Sequence, residues 1–161
     1  KMFQSGQFVH DMTIRGCSDS NRKAHEEWAR HHHMVPPDSD WGSVVGYVGI
    51  EWTMITCALV VELASRLCQK GIIEGRCSIA LSMESIQGTV LVADPRRAWH
   101  DTFIAKVPSL NNTWHYPVDA LIADPISPPI DMAVWFFERY GWLEPPKEVI
   151  QKVIDDLRAG R

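Results

Sequence analysis

The stretch at residues 98–124 contains side chains whose types and spacing suit acid–base chemistry. It reads AWHDTFIAKVPSLNNTWHYPVDALIAD, with His100 at the start of one apolar run and Asp119 near the end of the next. If the runs form a hairpin that turns between Ser109 and Leu110, His100 lies opposite Asp119, with Cβ atoms roughly 5 Å apart. A carboxylate at that distance can orient an imidazole and support the imidazolium ion. The sequence therefore predicts a His100–Asp119 pair.

A second histidine in the stretch, His115, is the alternative partner for this carboxylate. It precedes Asp119 by four residues. Four residues of extended strand span roughly 13 Å, which is too far for a hydrogen bond. Strand geometry therefore favours His100.

Cys57 is the candidate for the group that such a pair would activate. The sequence TCALVVELASRLCQKG has a helical apolar pattern, and Thr56 can cap its start, so a helix is predicted to begin there with Cys57 in its first turn. Unpaired N–H groups and the helix dipole lower the pKa of a thiol at that place, and an imidazolium lowers it further. Together the three residues would form a Cys–His–Asp arrangement for nucleophilic catalysis.

The elements that must position these residues follow from apolar periodicity. The wide apolar arc after Thr56 predicts a buried central helix. Four runs joined by short connectors predict an antiparallel sheet, with Pro117 at an edge or bulge: RCSIALSM, TVLVAD, TFIAKV and HYPVDALIA. Helices are predicted at DSNRKAHEEWARHHHMV, PPIDMAVWFFERYG and PPKEVIQKVIDDLRAG. The prediction is an α+β domain, with N-terminal and C-terminal helices covering a central buried helix packed on an antiparallel sheet.

Length and composition predict one domain over residues 1–161, in a cytoplasmic setting. Within it, residues 1–45 are an N-terminal extension of unclear role, 46–126 a catalytic core and 127–161 the C-terminal helices. A net charge of −4 with scattered basic residues argues against nucleic acid, and the longest apolar run, CALVV, is far short of a membrane span of about 20 residues. The start of the chain lacks the apolar core of a signal peptide. The sequence also contains no C-x-x-C pair of the kind that would indicate a zinc site.

The order and spacing of these features resemble the transglutaminase-like superfamily of papain-type cysteine hydrolases and acyltransferases. The sequence CALVVELASRLCQKGI resembles the family's cysteine helix and its terminal glycine, WHDTFIAKV its histidine strand, and TWHYPVDALIADP its aspartate strand. The resemblance spans roughly residues 50–126. It implies Cys57 as nucleophile, His100 as general base and then acid, and Asp119 as the residue that orients His100. Asp124 would replace Asp119 if the strand register shifted.

That resemblance implies hydrolysis or acyl transfer at an amide of a peptide or protein, without metal or cofactor. Two other functions stay open. The first is a non-catalytic α+β protein-interaction domain, with Cys57 in the core and His100 more than about 7 Å from Asp119. The second is a metal site in the N-terminal histidine cluster of His25, His31, His32 and His33, although HEEWA lacks the second histidine of an HExxH motif. The oligomeric state is not predicted.

Overall fold

The computed structural model describes residues 44–93 and 103–159 of the 161-residue chain. Over these residues the elements follow in the order β1 (Gly46–Gly49), α1 (Ile50–Gln69), β2 (Arg76–Glu84), β3 (Thr89–Val92), β4 (Ser109–Pro117), α2 (Val118–Ala123), α3 (Ser127–Arg139) and α4 (Lys147–Arg158). The predicted N-terminal helix, the histidine cluster and His100 lie outside the described residues. The α+β class is confirmed.

The central helix α1 is buried along one face, as its wide apolar arc predicts. Met54, Val61 and Cys68 follow one another at intervals of seven residues, or about two helical turns, and belong to the main core cluster. The helix begins at Ile50, so the prediction of a start at Thr56 is wrong. Its end is as predicted: Gly71 has a φ of +66°, and its amide donates to the Cys68 carbonyl in a glycine-terminated cap.

Among the described residues the strands form two separate two-stranded sheets, whereas a single antiparallel sheet was predicted. β1 and β3 pair in parallel, which requires the crossover that α1 provides. β2 and β4 pair antiparallel over nine residue pairs, from Arg76 opposite Pro117 to Glu84 opposite Ser109. The predicted strand at TFIAKV is reduced to a bridge between Ile104 and Val90.

The predicted hairpin around PSLNN is wrong. Residues 109–112 lie inside β4, so the chain does not turn there. Asp119 lies in the first turn of α2 and not on a strand. The apolar residues of that short segment decide its conformation, because helical spacing brings Val118, Leu121 and Ile122 to the core. The strand register that would join His100 to Asp119 therefore does not exist.

The two C-terminal helices are confirmed and cover the sheet and α1. Trp135 of α3 makes an edge contact with Trp114 of β4, at 5.3 Å between ring centroids. α4 buries Ile150 and Ile154. A hydrogen-bonded ion pair of 2.6 Å joins Arg158 of α4 to Glu62 of α1. The C-terminal helices thus close over the central helix.

Candidate functional site

Cys57 is a core residue in this structure. It lies about two turns into α1, 3% exposed, within the main apolar cluster. Burial raises the pKa of its thiol to about 12. The predicted lowering of that pKa is wrong for a physical reason: the unpaired N–H groups of a helix start are too far away, and desolvation disfavours the thiolate. At neutral pH Cys57 is a protonated, apolar side chain.

The other two members of the predicted triad give no support to an assembled site. Asp119 is exposed in the first turn of α2. His100 lies outside the described residues. The described part of the chain thus contains Cys57 and Asp119 without the histidine that would join them. The triad, and with it thiol-dependent hydrolysis or acyl transfer, stays a prediction.

Asp124, the alternative to Asp119, has a structural role at the start of α3. Its carboxylate accepts hydrogen bonds from the backbone amides of Ile126 and Ser127, both at 3.0 Å. Hydrogen bonds from the Ser127 side chain and then from these two amides lower the pKa of Asp124. A carboxylate held in this way caps the turn that leads into the helix.

The remaining described cysteines, Cys68 and Cys77, are core residues. Both are free thiols and buried. Burial, followed by the neighbouring Cys68, raises the pKa of Cys77 to about 11. Cys77 therefore offers no thiolate at neutral pH.

We expect iodoacetamide to leave Cys57 unmodified in the native protein at neutral pH, because its thiol is buried and protonated. Peptide mass spectrometry after brief labelling measures the modified fraction. The same reaction in urea is the control, since unfolding exposes the thiol. Rapid labelling of Cys57 in the folded protein would contradict the buried position and restore the case for a nucleophile.

The sheet of β2 and β4 has an apolar inner face and a polar outer face. Residues of the inner face join the core cluster, among them Cys77, Ile79 and Leu110. The outer side chains are exposed and mostly small: Ser78, Ala80 and Ser82 on β2, and Asn111, Thr113 and His115 on β4. This alternation is the pattern of a sheet covered on one side.

One pair of residues on the outer face resembles a catalytic dyad in composition. The Ser78 hydroxyl and His115 Nδ1 lie 2.8 Å apart across the ladder. Their neighbours on the face are Arg76, Ala80, Thr113 and Pro117 by register, and none of these four supplies a carboxylate to orient the imidazole. Both residues are exposed. The pair is a cross-strand hydrogen bond that stabilises the sheet.

The hydrogen bonding of the ladder determines which backbone groups face outward. The Val118 amide donates to the Gly75 carbonyl at 3.2 Å, one pair beyond the ladder and in the same register. Pairs alternate along an antiparallel ladder, so odd-numbered residues of β2 bond to even-numbered residues of β4. The close contact of Ser78 with His115 fits a non-hydrogen-bonded pair. Even-numbered residues of β2 and odd-numbered residues of β4 therefore direct N–H and C=O away from the ladder.

These outward groups form two free edges, which we name by their strands. The β4 edge consists of the backbone groups of Asn111, Thr113 and His115. The β2 edge consists of those of Ser78, Ala80, Ser82 and Glu84, together with the Arg76 carbonyl, because the Arg76 amide donates to the Glu74 carbonyl at 2.8 Å. Over residues 44–93 and 103–159 no further strand pairs with either edge. Sequence reasoning missed both edges, although the alternating small polar residues of SIALS and NNTWH were a usable signal.

Within the described residues, no group of three or more His, Cys, Asp and Glu side chains is arranged to hold a metal ion. None of their helices has the length and apolar character needed to cross a membrane. The predicted histidine metal site lies outside these residues and stays a prediction.

Comparisons of the chain with protein-family models, with curated proteins and with solved structures give no match. The resemblance to the transglutaminase-like superfamily therefore stays a prediction.

Proposed function

We propose that this chain is a non-catalytic protein-interaction domain, in which the β4 edge binds an extended segment of another polypeptide. One observation carries the proposal: β4 is an edge strand with a regular row of outward backbone donors and acceptors. Such a row pairs with any extended chain that presents complementary groups. The buried thiol of Cys57 supports a function that needs no nucleophile.

Within the strand itself, the β4 edge has none of the sequence devices that normally prevent strand addition. Proteins protect exposed edges with charged side chains, prolines or bulges. The strand SLNNTWHYP has no Lys, Arg, Asp or Glu, and its Pro117 lies at the last position. The register is constant over all nine pairs, so the ladder has no bulge. An unprotected edge of this length is suited to binding a strand.

The inner face beside the β4 edge indicates which segment would fit. Trp114 and Tyr116 lie on this face of β4, where they are partly buried and pack against the core. Along an added strand, every second side chain would lie on this face. The outer face offers Asn111, Thr113 and His115. We infer that the preferred partner is an extended segment with alternating apolar and uncharged polar residues.

Replacing Thr113 with proline tests this function. The amide of Thr113 faces away from β2, so its loss leaves the ladder bonds in place but removes one donor from the β4 edge. Peptides of about 12 residues are first selected from a random library for binding to the wild-type protein. We expect these peptides to bind Thr113→Pro at least about tenfold more weakly than they bind the wild type. Fluorescence anisotropy of labelled peptides measures the change.

Thr113→Val is the matched control, because it keeps the amide and should bind these peptides as the wild type does. An unchanged far-UV circular dichroism spectrum shows that Thr113→Pro is folded. Peptides that bind Thr113→Pro and the wild type equally would overturn the proposal. The same holds if selection on the wild type yields no peptide that binds.

A further inference from the structure

The β2 edge, on the opposite side of the same sheet, has a self-complementary arrangement of side chains. β2 runs from Arg76 to Glu84, so Ala80 is its central residue. The outward backbone groups belong to the even-numbered residues, and Ala80 is one of them. A two-fold axis at Ala80 would therefore place hydrogen-bonding groups opposite each other along the strand, except at the Arg76 amide, which donates to the Glu74 carbonyl.

We propose that two copies of this chain pair antiparallel through their β2 edges, about a two-fold axis at Ala80. The result is a continuous four-stranded sheet in which each copy contributes β2 to the centre and β4 to the outside. This is an isologous contact, since the same strand serves both partners. It does not depend on the proposed function of the β4 edge, which it leaves free.

The charges of β2 favour this register. Arg76 and Glu84 are equally distant from Ala80, so antiparallel pairing places each opposite the other residue of the second copy. Both side chains are exposed, and among the described residues neither takes part in a salt bridge. Opposite charges at facing positions stabilise a sheet, and like charges destabilise it. The symmetric contact therefore contains two complementary charge pairs.

The uncharged residues of β2 fit the same register on both faces. On the outer face Ser78 lies opposite Ser82 of the second copy, and Ala80 opposite the second Ala80, so no bulky side chains meet. On the inner face, Ile79 lies opposite Leu81 and Cys77 opposite Met83. All four are apolar, and Leu81 and Met83 are only partly buried in the single chain. Pairing would bury more of these two side chains, which favours association.

Charge reversal tests the dimer in the full chain. We expect the wild-type protein to show a monomer–dimer equilibrium in sedimentation experiments over a dilution series. Arg76→Glu and Glu84→Arg each turn two attractive pairs into repulsive ones, so each should weaken dimerisation by about tenfold. The double variant, Arg76→Glu with Glu84→Arg, recreates both attractive pairs. It should return the dissociation constant to within about twofold of the wild-type value.

A second pair of variants tests the backbone contact. Ala80→Pro removes an amide from the centre of the β2 edge without removing a ladder bond, and should abolish the dimer. Ala80→Ser keeps the amide and should leave the dimer intact. A wild-type protein that is monomeric at every concentration would overturn the proposal. So would single and double charge variants that dimerise equally, because charge pairing in this register requires them to differ. Peptide binding at the β4 edge is measured separately, so either proposal can fail alone.

Discussion

Replacing Phe137 with alanine is expected to lower the free energy of unfolding by about 3–5 kcal/mol. Phe137 of α3 is fully buried, at 0% exposure. Its ring lies 5.9 Å from that of Phe136 and 5.2 Å from that of Trp142, measured between centroids. Trp142 in turn stacks on Phe103, at 5.3 Å. Truncation therefore leaves a cavity between α3 and the segment before β4, in addition to the lost transfer free energy.

Urea unfolding followed by circular dichroism measures this loss. Glu138→Ala is the matched control on the same helix, because Glu138 is exposed and should change the stability by no more than about 0.5 kcal/mol. A loss below about 1 kcal/mol for Phe137→Ala would contradict the position of this ring in the core.

Replacing Leu121 with alanine is expected to lower the free energy of unfolding by about 2–5 kcal/mol. The side chain is 0% exposed, and it anchors the short helix α2 on the core cluster. The Leu121 carbonyl also accepts a hydrogen bond of 3.4 Å from the buried Ser65 hydroxyl of α1. An isolated helix of six residues is not stable in water, so its packing must hold it. The variant therefore removes the fully buried side chain of α2, while the hydrogen bond from Ser65 to the backbone carbonyl remains.

Asp119→Asn on the same helix is the control, and it changes a residue of the predicted triad. Asp119 is exposed, so this change should leave the free energy of unfolding within about 0.5 kcal/mol of the wild-type value. The same urea experiment measures both variants. A Leu121→Ala protein as stable as the wild type would show that α2 does not pack on α1 as described.

The parts of the fold that the sequence predicts well are those with long periodic patterns. α3 and α4 each repeat their apolar residues over about three turns, and proline and glycine mark the limits of α3. The end of α1 follows from Lys70 and Gly71, whereas its start was misjudged. The segment GYVGIEW divides into a strand and a helix start without a Ser, Thr, Asp or Asn cap, because Gly49 occupies that position.

The parts that sequence reasoning misses depend on tertiary contacts. Pro108, Ser109, Asn111 and Asn112 are typical turn residues, but pairing with β2 extends the last three into a strand. The predicted strand at VDALIA depends on Val118 and Ile122, but Ala and Leu favour a helix, and helical spacing buries Leu121 in the core.

The burial of Cys57 and the free edges of the sheet were missed for the same reason, since both depend on tertiary contacts. A thiol pKa depends on burial as well as on the position in a helix, and for Cys57 burial dominates. The free edges of the sheet depend on which strands pair, and β2 and β4 are not neighbours in sequence. Neither the thiol pKa of Cys57 nor the position of the free edges can be deduced from the spacing of His100 and Asp119.

The non-adjacent pairing of β2 with β4 has a consequence for how the chain folds. The segment between Glu84 and Ser109, which includes β3, must be placed before the nine-pair ladder can close. Loop-closure entropy is lost before the ladder bonds are gained, which slows this step relative to the formation of a local hairpin. Until β4 arrives, both edges of β2 are unpaired. In that interval, pairing between chains competes with the native ladder, and a high protein concentration favours aggregation over folding.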